Sequence, residues 1–368
     1  MKLLHFADLH LDAPFRWAPP EVARSHRQAL RKTLTRICRL ATDLGVDALC
    51  CGGDLYEQDR FIPDTAEFLR SSFAELAPTQ VLIAPGNHDW YGPASLYRQV
   101  EWSANVHVFE QSVLVPVELA DGITLWGAGH RAPANTPGFL DGFHVDRSGI
   151  HLALFHGSEQ SDLAFQGEEK IPHAPFRAAQ ISAAGVDHAL LGHFHKPRDL
   201  PLYTYPGNPD PLTFGETGDR GAVLLQVAAD GAITRERHRV AVSAMTDVAI
   251  DLTGTTHSGQ VGDRVLQAVT GLSGMVRVTL AGEVGPDVDL RLQDVEALPI
   301  PHLDALVARL GQIFPAYHLE ALQDESTVRG QFVRDVQGSP ELTEDQRRRV
   351  LVTGLRALAG RGDELEVQ

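Results

Sequence analysis

Residues Val81–Gly92 read VLIAPGNHDWYG. The first four side chains are apolar and suit an extended strand buried on both faces. A proline and a glycine follow, and then Asn87, His88 and Asp89 stand side by side. Pro-Gly and Asn-His-Asp are good turn formers, because glycine accepts positive φ and Asn and Asp bond their own backbone. The tetrapeptide alone therefore fits a turn as well as a site. The rest of the chain decides between them.

The same change of character recurs elsewhere. Leu3–Ala7 runs into Asp8-Leu9-His10, and Ala48–Cys51 into Gly52-Gly53-Asp54. Ile150–Phe155 is followed by His156-Gly157, and His188–Leu191 by Gly192-His193-Phe194-His195. Between these apolar runs lie the amphipathic patterns Glu21–Leu44, Asp64–Ala77, Ser95–Trp102 and Phe176–Ala184. Strands alternating with helices predict an α/β fold. Strand-rich stretches at Ser112–Trp126 and Leu202–Gln226 predict a second sheet packed on the first. In open α/β sheets, ligands sit beyond the carboxyl ends of the strands, so all five polar clusters are aimed at one place.

Asp8-x-His10 and His193-x-His195 place both members of each pair on one side of an extended segment. Neighbouring glycines allow the tight turns that let these groups converge. The set is rich in imidazole and carboxylate and holds no thiolate. It is too large for one tetrahedral zinc and fits two metals about 3.5–4 Å apart, bridged by a carboxylate. Such N/O sites suit manganese, iron or zinc rather than magnesium or calcium. Any one histidine out of 17 is more often a satisfied surface or core residue. Five clusters in order, each at a strand end, are not explained that way.

The order D-x-H, G-D, G-N-H-D, H, G-H-x-H resembles the calcineurin-like metallophosphoesterases. HFADLHLDAPFR, GGDLYEQ, LLGHFHKP and YPGNPDPLTFGETGDRG are similar to the DNA-repair exonuclease branch of that family, with its YhaO-type and SbcD-like members. The segment Glu325–Val336 extends the resemblance toward the C-terminus. It implies a four-layer sandwich, two mixed β-sheets flanked by helices. Carried over motif by motif, Asp8, His10 and His195 would hold one metal and Asn87, His156 and His193 the other, with Asp54 between them. His88 would be the general acid, oriented by Asp89. The ions would be two divalent metals, manganese first, with iron or zinc as alternatives. The implied reaction is phosphodiester hydrolysis by a metal-activated hydroxide. Some nucleases of this branch carry a second catalytic histidine three residues after the bridging aspartate. Here that position is Glu57, which stands open as a contact to substrate, to a metal or to a histidine. Trp90 and Tyr91 could stack a base or pack their loop. Lys196 and Arg198 could meet a backbone phosphate or belong to a solvated turn.

Composition narrows the reading. The chain has 368 residues with 43% hydrophobic content and a formal charge of −16. A general surface so acidic does not coat itself with nucleic acid, because phosphate binding is driven by clustered Lys and Arg. Attraction for DNA would have to be local, metal-borne or lent by a partner. Three cysteines, Cys38, Cys50 and Cys51, make no disulfide framework, and Cys50 and Cys51, inside an apparent buried strand, read as core thiols. No apolar run reaches the ~20 residues of a membrane span. In MKLLHFADLH, His5, Asp8 and His10 interrupt any leader-like run, which predicts a first strand in a cytoplasmic protein.

Three domains are expected: a metallophosphoesterase (nuclease) domain over 1–240, a small β-α-β cap over 241–300, and a helical region over 301–368. The cap is read from Val248–Leu252, a helix at Ser258–Thr270 and Val276–Leu280. The last region is read from helices at His302–Phe314 and Thr343–Leu358, with a polar tail over 360–368. Three function classes stay open. They are a DNA exo- or endonuclease, a phosphodiesterase or phosphatase for small molecules or phosphoproteins, and a non-catalytic metal-bound adaptor. The expected partners are DNA, an SMC-type (SbcC-like) ATPase and a second copy of the chain, with no membrane.

Overall fold

A computed structural model describes residues 1–146, 148–161, 172–216, 219–286 and 288–358. The chain forms two compact units, Met1–Ala244 and Met245–Gln368. In the first unit, β1 (Lys2–Phe6), β2 (Ala48–Cys51), β3 (Gln80–Ile83) and β4 (Val106–Val108) run parallel. The antiparallel strands β11 (Ala222–Val227) and β12 (Ile233–His238) complete that sheet, in the order β12-β11-β1-β2-β3-β4. The other sheet runs β5-β6-β7-β8-β10-β9. Its strands are β5 (Val115–Ala120), β6 (Ile123–Gly127), β7 (Ile150–His156), β8 (His188–Gly192), β9 (Arg198–Leu200) and β10 (Tyr203–Tyr205). Strands β6, β7, β8 and β10 are parallel to one another.

This corrects the assignment of strands to sheets. Ile150–His156 and His188–Gly192 belong to the second sheet, not the first, and Ala222–Val227 belongs to the first. Periodicity identifies a buried strand but not its neighbour. The exchange is legible only in the register, where Leu3 pairs with Leu225 on one side and with Ala48 on the other.

Both faces of the central strands are covered, which is why their sequences are continuously apolar. Leu3, Cys50 and Leu82 face Leu152, Leu154 and Leu190 between the two sheets. Their neighbours Leu4, Leu49, Cys51, Val81 and Ile83 pack against Leu30, Leu34, Ile37 and Ala41 of α1 (Pro20–Leu44) and against Leu69 and Phe73 of α2 (Pro63–Ala74). Helix α1 opens with Pro20 and closes on Gly45 at φ 58°, whose N–H reaches the carbonyls of Ala41 and Thr42. The expected helix at Ser95–Trp102 shortens to α3 (Leu96–Gln99), with Ser95 as its N-cap. Across the molecule, Ala153, Phe155, Ala189 and Leu191 pack against Ile181 and Ala184 at α4 (Ala178–Ala183). The result is a four-layer sandwich. Cys50 and Cys51 are both fully buried in it, and burial pushes the Cys50 thiol up to about 12.

In the second unit, β13 (Met245–Asp251), α5 (Ser258–Ala268) and β14 (Gly274–Val284) make the expected parallel β-α-β. The helix expected over His302–Phe314 is instead a strand, β15 (Leu303–Pro315), paired parallel to β14. Leu303, Leu306, Val307 and Leu310 are spaced as in a helix, but β14 needs a second partner. The segment supplies it, burying Ala308 and leaving residues 309–312 exposed at the sheet edge. A short apolar run cannot be assigned to helix or strand from periodicity alone. Beyond it, α6 (Leu292–Glu296) having come earlier, lie α7 (Leu319–Gln323), α8 (Val328–Gln337) and α9 (Glu344–Leu358). Thr343 caps α9, its Oγ1 accepting from Gln346 N while its own N–H donates to Gln346 Oε1. Leu351 and Leu355 of α9 are buried with Leu322, Val333 and Val336. The tail over 360–368 lies outside the described residues.

Candidate metal centre

The carboxyl ends of β1, β2 and β3 in one sheet and of β7 and β8 in the other carry the polar clusters. Asp8, His10 and His195 bring ligating atoms within 4.8 Å of one another, and so do Asp8, Asp54 and His156. Around His156 Nε2 lie Asn87 Oδ1 at 3.1 Å, His193 Nδ1 at 3.3 Å and Asp54 Oδ2 at 3.3 Å. The same Asp54 oxygen is 3.7 Å from His10 Nε2. All seven expected ligands therefore meet, with Asp54 between the two groups.

Backbone strain accompanies the convergence. Asp8, His10, Asp54 and His193 have φ of 55°, 50°, 51° and 112°. Each such non-glycine residue costs on the order of 1–3 kcal/mol. Fully buried Leu, Ile and Phe side chains in the strands behind the site contribute about 1.5–3 kcal/mol apiece, enough to hold the turns in place. The glycines provide close approach. A Cβ on Gly192 would collide with the Gly52 carbonyl, and one on Gly86 with the Asp54 carboxylate.

The imidazoles are aimed from behind. His10 Nδ1 donates to Glu57 Oε1 at 2.7 Å, His195 Nδ1 to Glu216 Oε1 at 2.9 Å and His156 Nδ1 to the Gly52 carbonyl at 2.9 Å. This leaves each Nε2 for the cluster. His10 Nε2 is buried and makes no hydrogen bond, an orphan that a cation satisfies. The electrostatics agree. Burial opposes a charge on His156, yet the neighbouring Asp54 outweighs it and carries the imidazole up to about 9. Burial likewise opposes ionisation of Glu57, but its bonds to His10 and His88 bring it down to about 2. Ionised carboxylates that draw positive charge onto His156 also attract divalent cations. The donor set of carboxylate, imidazole and carboxamide fits such ions.

His88 stands at the mouth with its side chain 46% exposed. Its ring centre is 4.8 Å from that of His10, and its backbone N–H donates to Asp54 Oδ1 at 2.8 Å. Burial works against its charge, but the hydrogen bond to Glu57 and the nearby Asp54 raise it to about 9. The expectation that Asp89 orients this ring is corrected. The carboxylate bonded to His88 Nδ1 is that of Glu57, at 3.1 Å. Asp89 is fully buried, and its oxygens accept from the N–H groups of Gly86, Asp54 and Leu55 and from Tyr97 Oη. It ties the β3 loop to the β2 loop by accepting from three of their backbone amides. Glu57 therefore has both imidazoles in hand.

The remaining expected residues are more peripheral. Tyr91 carries the guanidinium groups of Arg98 and Arg131 at 5.9 and 5.4 Å from its ring centre, which favours loop packing. Trp90 is half-buried, Lys196 is exposed, and Arg198 begins edge strand β9. Sequence reasoning passed over Glu216, Tyr97 and His130. His130 lies behind the site, between the carbonyl of His156 at 2.8 Å and Thr136 Oγ1 at 2.9 Å. Glu216 lay inside a quoted motif, but only its place beside His195 gives it a role.

The fold and the site define a class, and comparison with known proteins agrees. Residues 1–197 match the calcineurin-like phosphoesterase family, and the chain belongs to that family. A family of this fold implies a dinuclear divalent metal site. The chain is similar to the uncharacterized metallophosphoesterase YhaO of Bacillus subtilis, 26% identical over 90% of this chain and 80% of the relative. It is also 26% identical to the DNA double-strand break repair protein Mre11 of Methanopyrus kandleri, over 64% of this chain and 56% of that protein. TT1561 of Thermus thermophilus, a solved structure, aligns with a TM-score of 0.37 at 12% identity, covering 64% of this chain and 98% of its own.

Proposed function

We propose that this metal-dependent phosphoesterase is a DNA nuclease of DNA repair, working with manganese. The observation that carries the catalytic part is His88, a half-exposed imidazole held by Glu57 beside seven converging ligands. The similarity to a double-strand break repair protein supports DNA as the substrate. Asp8, His10 and His195 would hold one ion and Asn87, His156 and His193 the other, with Asp54 placed between the two groups. Two bound divalent ions supply neutralising charge for a phosphate and acidify water. His88 presents Nε2 to the leaving oxygen and gives it a proton. Glu57 keeps the Nδ1 proton in place so that Nε2 points outward. Asp89 acts on this ring only through the loop it fastens.

The C-terminal unit serves a partner, which we propose is an ATPase of the SMC type. Packing accounts for Leu351 and Leu355, but Val350 and Leu358 on the same helix are 39% and 47% exposed. A partner with a basic surface complements a chain of charge −16. The test of function is cleavage of labelled single- and double-stranded DNA with Mn²⁺, beside a cyclic nucleotide and an aryl phosphodiester. Faster turnover of the small esters, with DNA untouched, replaces the nuclease reading with that of a small-molecule phosphodiesterase.

A further inference from the structure

We infer that Glu216 is a positioning residue for the metal centre, setting which nitrogen of His195 is free to bind an ion. Its side chain is 11% exposed. One oxygen, Oε1, accepts from His195 Nδ1 at 2.9 Å. The other, Oε2, accepts from Asn208 Nδ2 at 2.7 Å and from the Leu212 N–H at 2.8 Å. Asn208 is held in turn, its Nδ2 also donating to the Asp210 carbonyl and its Oδ1 accepting from Arg220. The carboxylate is thus clamped at one end by donors that cannot reverse. Its other end must accept, and His195 Nδ1 must carry the proton. The lone pair is then on Nε2, the atom left to the cluster with Asp8 and His10. Glu57 does the same for His10 from another loop, at 2.7 Å. Two separate glutamates therefore back the two imidazoles on this side of Asp54, whereas a main-chain carbonyl backs His156. Partners of this kind fix ring orientation and raise ligand basicity.

The inference rests on His195 being a ligand, and the experiment separates the two claims. Glu216→Gln keeps the shape. The donors around Oε2 draw the carboxamide oxygen to themselves, so its NH₂ faces His195 Nδ1. That arrangement forces the proton to Nε2 and removes the lone pair from the cluster. Mn²⁺ binding to the full chain, measured by calorimetry without substrate, should weaken about 10–100-fold. The urea midpoint in EDTA should stay at the wild-type value. Two-bond ¹H–¹⁵N spectra of the metal-free protein should show His195 changing from the Nδ1–H to the Nε2–H form. In a His195→Ala background, Glu216→Gln should change Mn²⁺ affinity no further. Wild-type affinity with an unchanged His195 tautomer in Glu216→Gln overturns the inference. If that variant does not fold, Asn208→Ala, which loosens the clamp and keeps the charge, should weaken Mn²⁺ in the same direction, and unchanged affinity there overturns it equally. Unchanged Mn²⁺ binding by His195→Ala overturns the ligand reading beneath it.

Discussion

Replacing His88 by glutamine separates proton transfer from metal binding, because the structure divides the residue into two parts. Its backbone N–H holds Asp54 Oδ1 at 2.8 Å, and that bond survives any side-chain change. Its ring, 46% exposed, meets Glu57 and faces the mouth of the site. A glutamine amide can still donate to Glu57 but cannot deliver a proton. The shared carboxylate therefore stays in place and two ions should still bind. The lost proton transfer should cost about 10²–10⁴-fold in turnover of a substrate with an alkoxide leaving group, or ~3–5 kcal/mol of barrier. For a nitrophenyl phosphodiester, whose leaving group departs without a proton, the loss should be far smaller than on DNA. The assay is steady-state turnover of DNA and of the nitrophenyl ester at saturating Mn²⁺, with metal content measured on the same samples. An equal loss on both substrates at full metal occupancy refutes the assignment. A loss of metal that tracks the loss of rate would place His88 among the ligands instead.

Glu57→Gln can accept from only one of the two imidazoles it now holds, so Mn²⁺ affinity should fall about 10–100-fold and the DNA product ladder should change; an unchanged ladder and isotherm would leave Glu57 no part in metal binding or product choice. His188 is buried between the Pro201 carbonyl and Thr204 Oγ1, and burial lowers it to about 4. A histidine depressed when folded is neutral in the native state and protonated in the unfolded one between that value and about 6.5. The metal-free protein should therefore lose about 1.4 kcal/mol per pH unit from this group as pH falls through that window, and His188→Asn should flatten the urea-midpoint profile there; parallel profiles would contradict it. Val350→Ser with Leu358→Ser should leave ester hydrolysis and folding intact while abolishing co-purification with a co-expressed SMC-type ATPase, whereas deleting α9 would also strip Leu322, Val333 and Val336 of their cover. Retention of the ATPase by the double variant would return this face to ordinary surface.

The sequence by itself determined the chemistry of the strand ends. Asp8, His10, Asp54, Asn87, His156, His193 and His195 each follow an apolar run, and a strand carries its successor to a known edge. The family motifs, the paired apolar faces and the core cysteines were legible for the same local reason. Tertiary structure alone decided what depends on which segments become neighbours. It placed β7 and β8 in a second sheet, so the site is built between two sheets rather than along one. It made Leu303–Pro315 a strand, because β14 offered an unpaired edge that outweighed a helical spacing. It gave His88 to Glu57 and left Asp89 to three backbone amides, although Asp89 is adjacent in sequence and Glu57 is 31 positions away. It brought Glu216 to His195 from a loop 21 residues on. Candidate-ligand positions follow from the chain's local direction. The hydrogen bonds that aim those ligands join separate loops, and no local pattern encodes them.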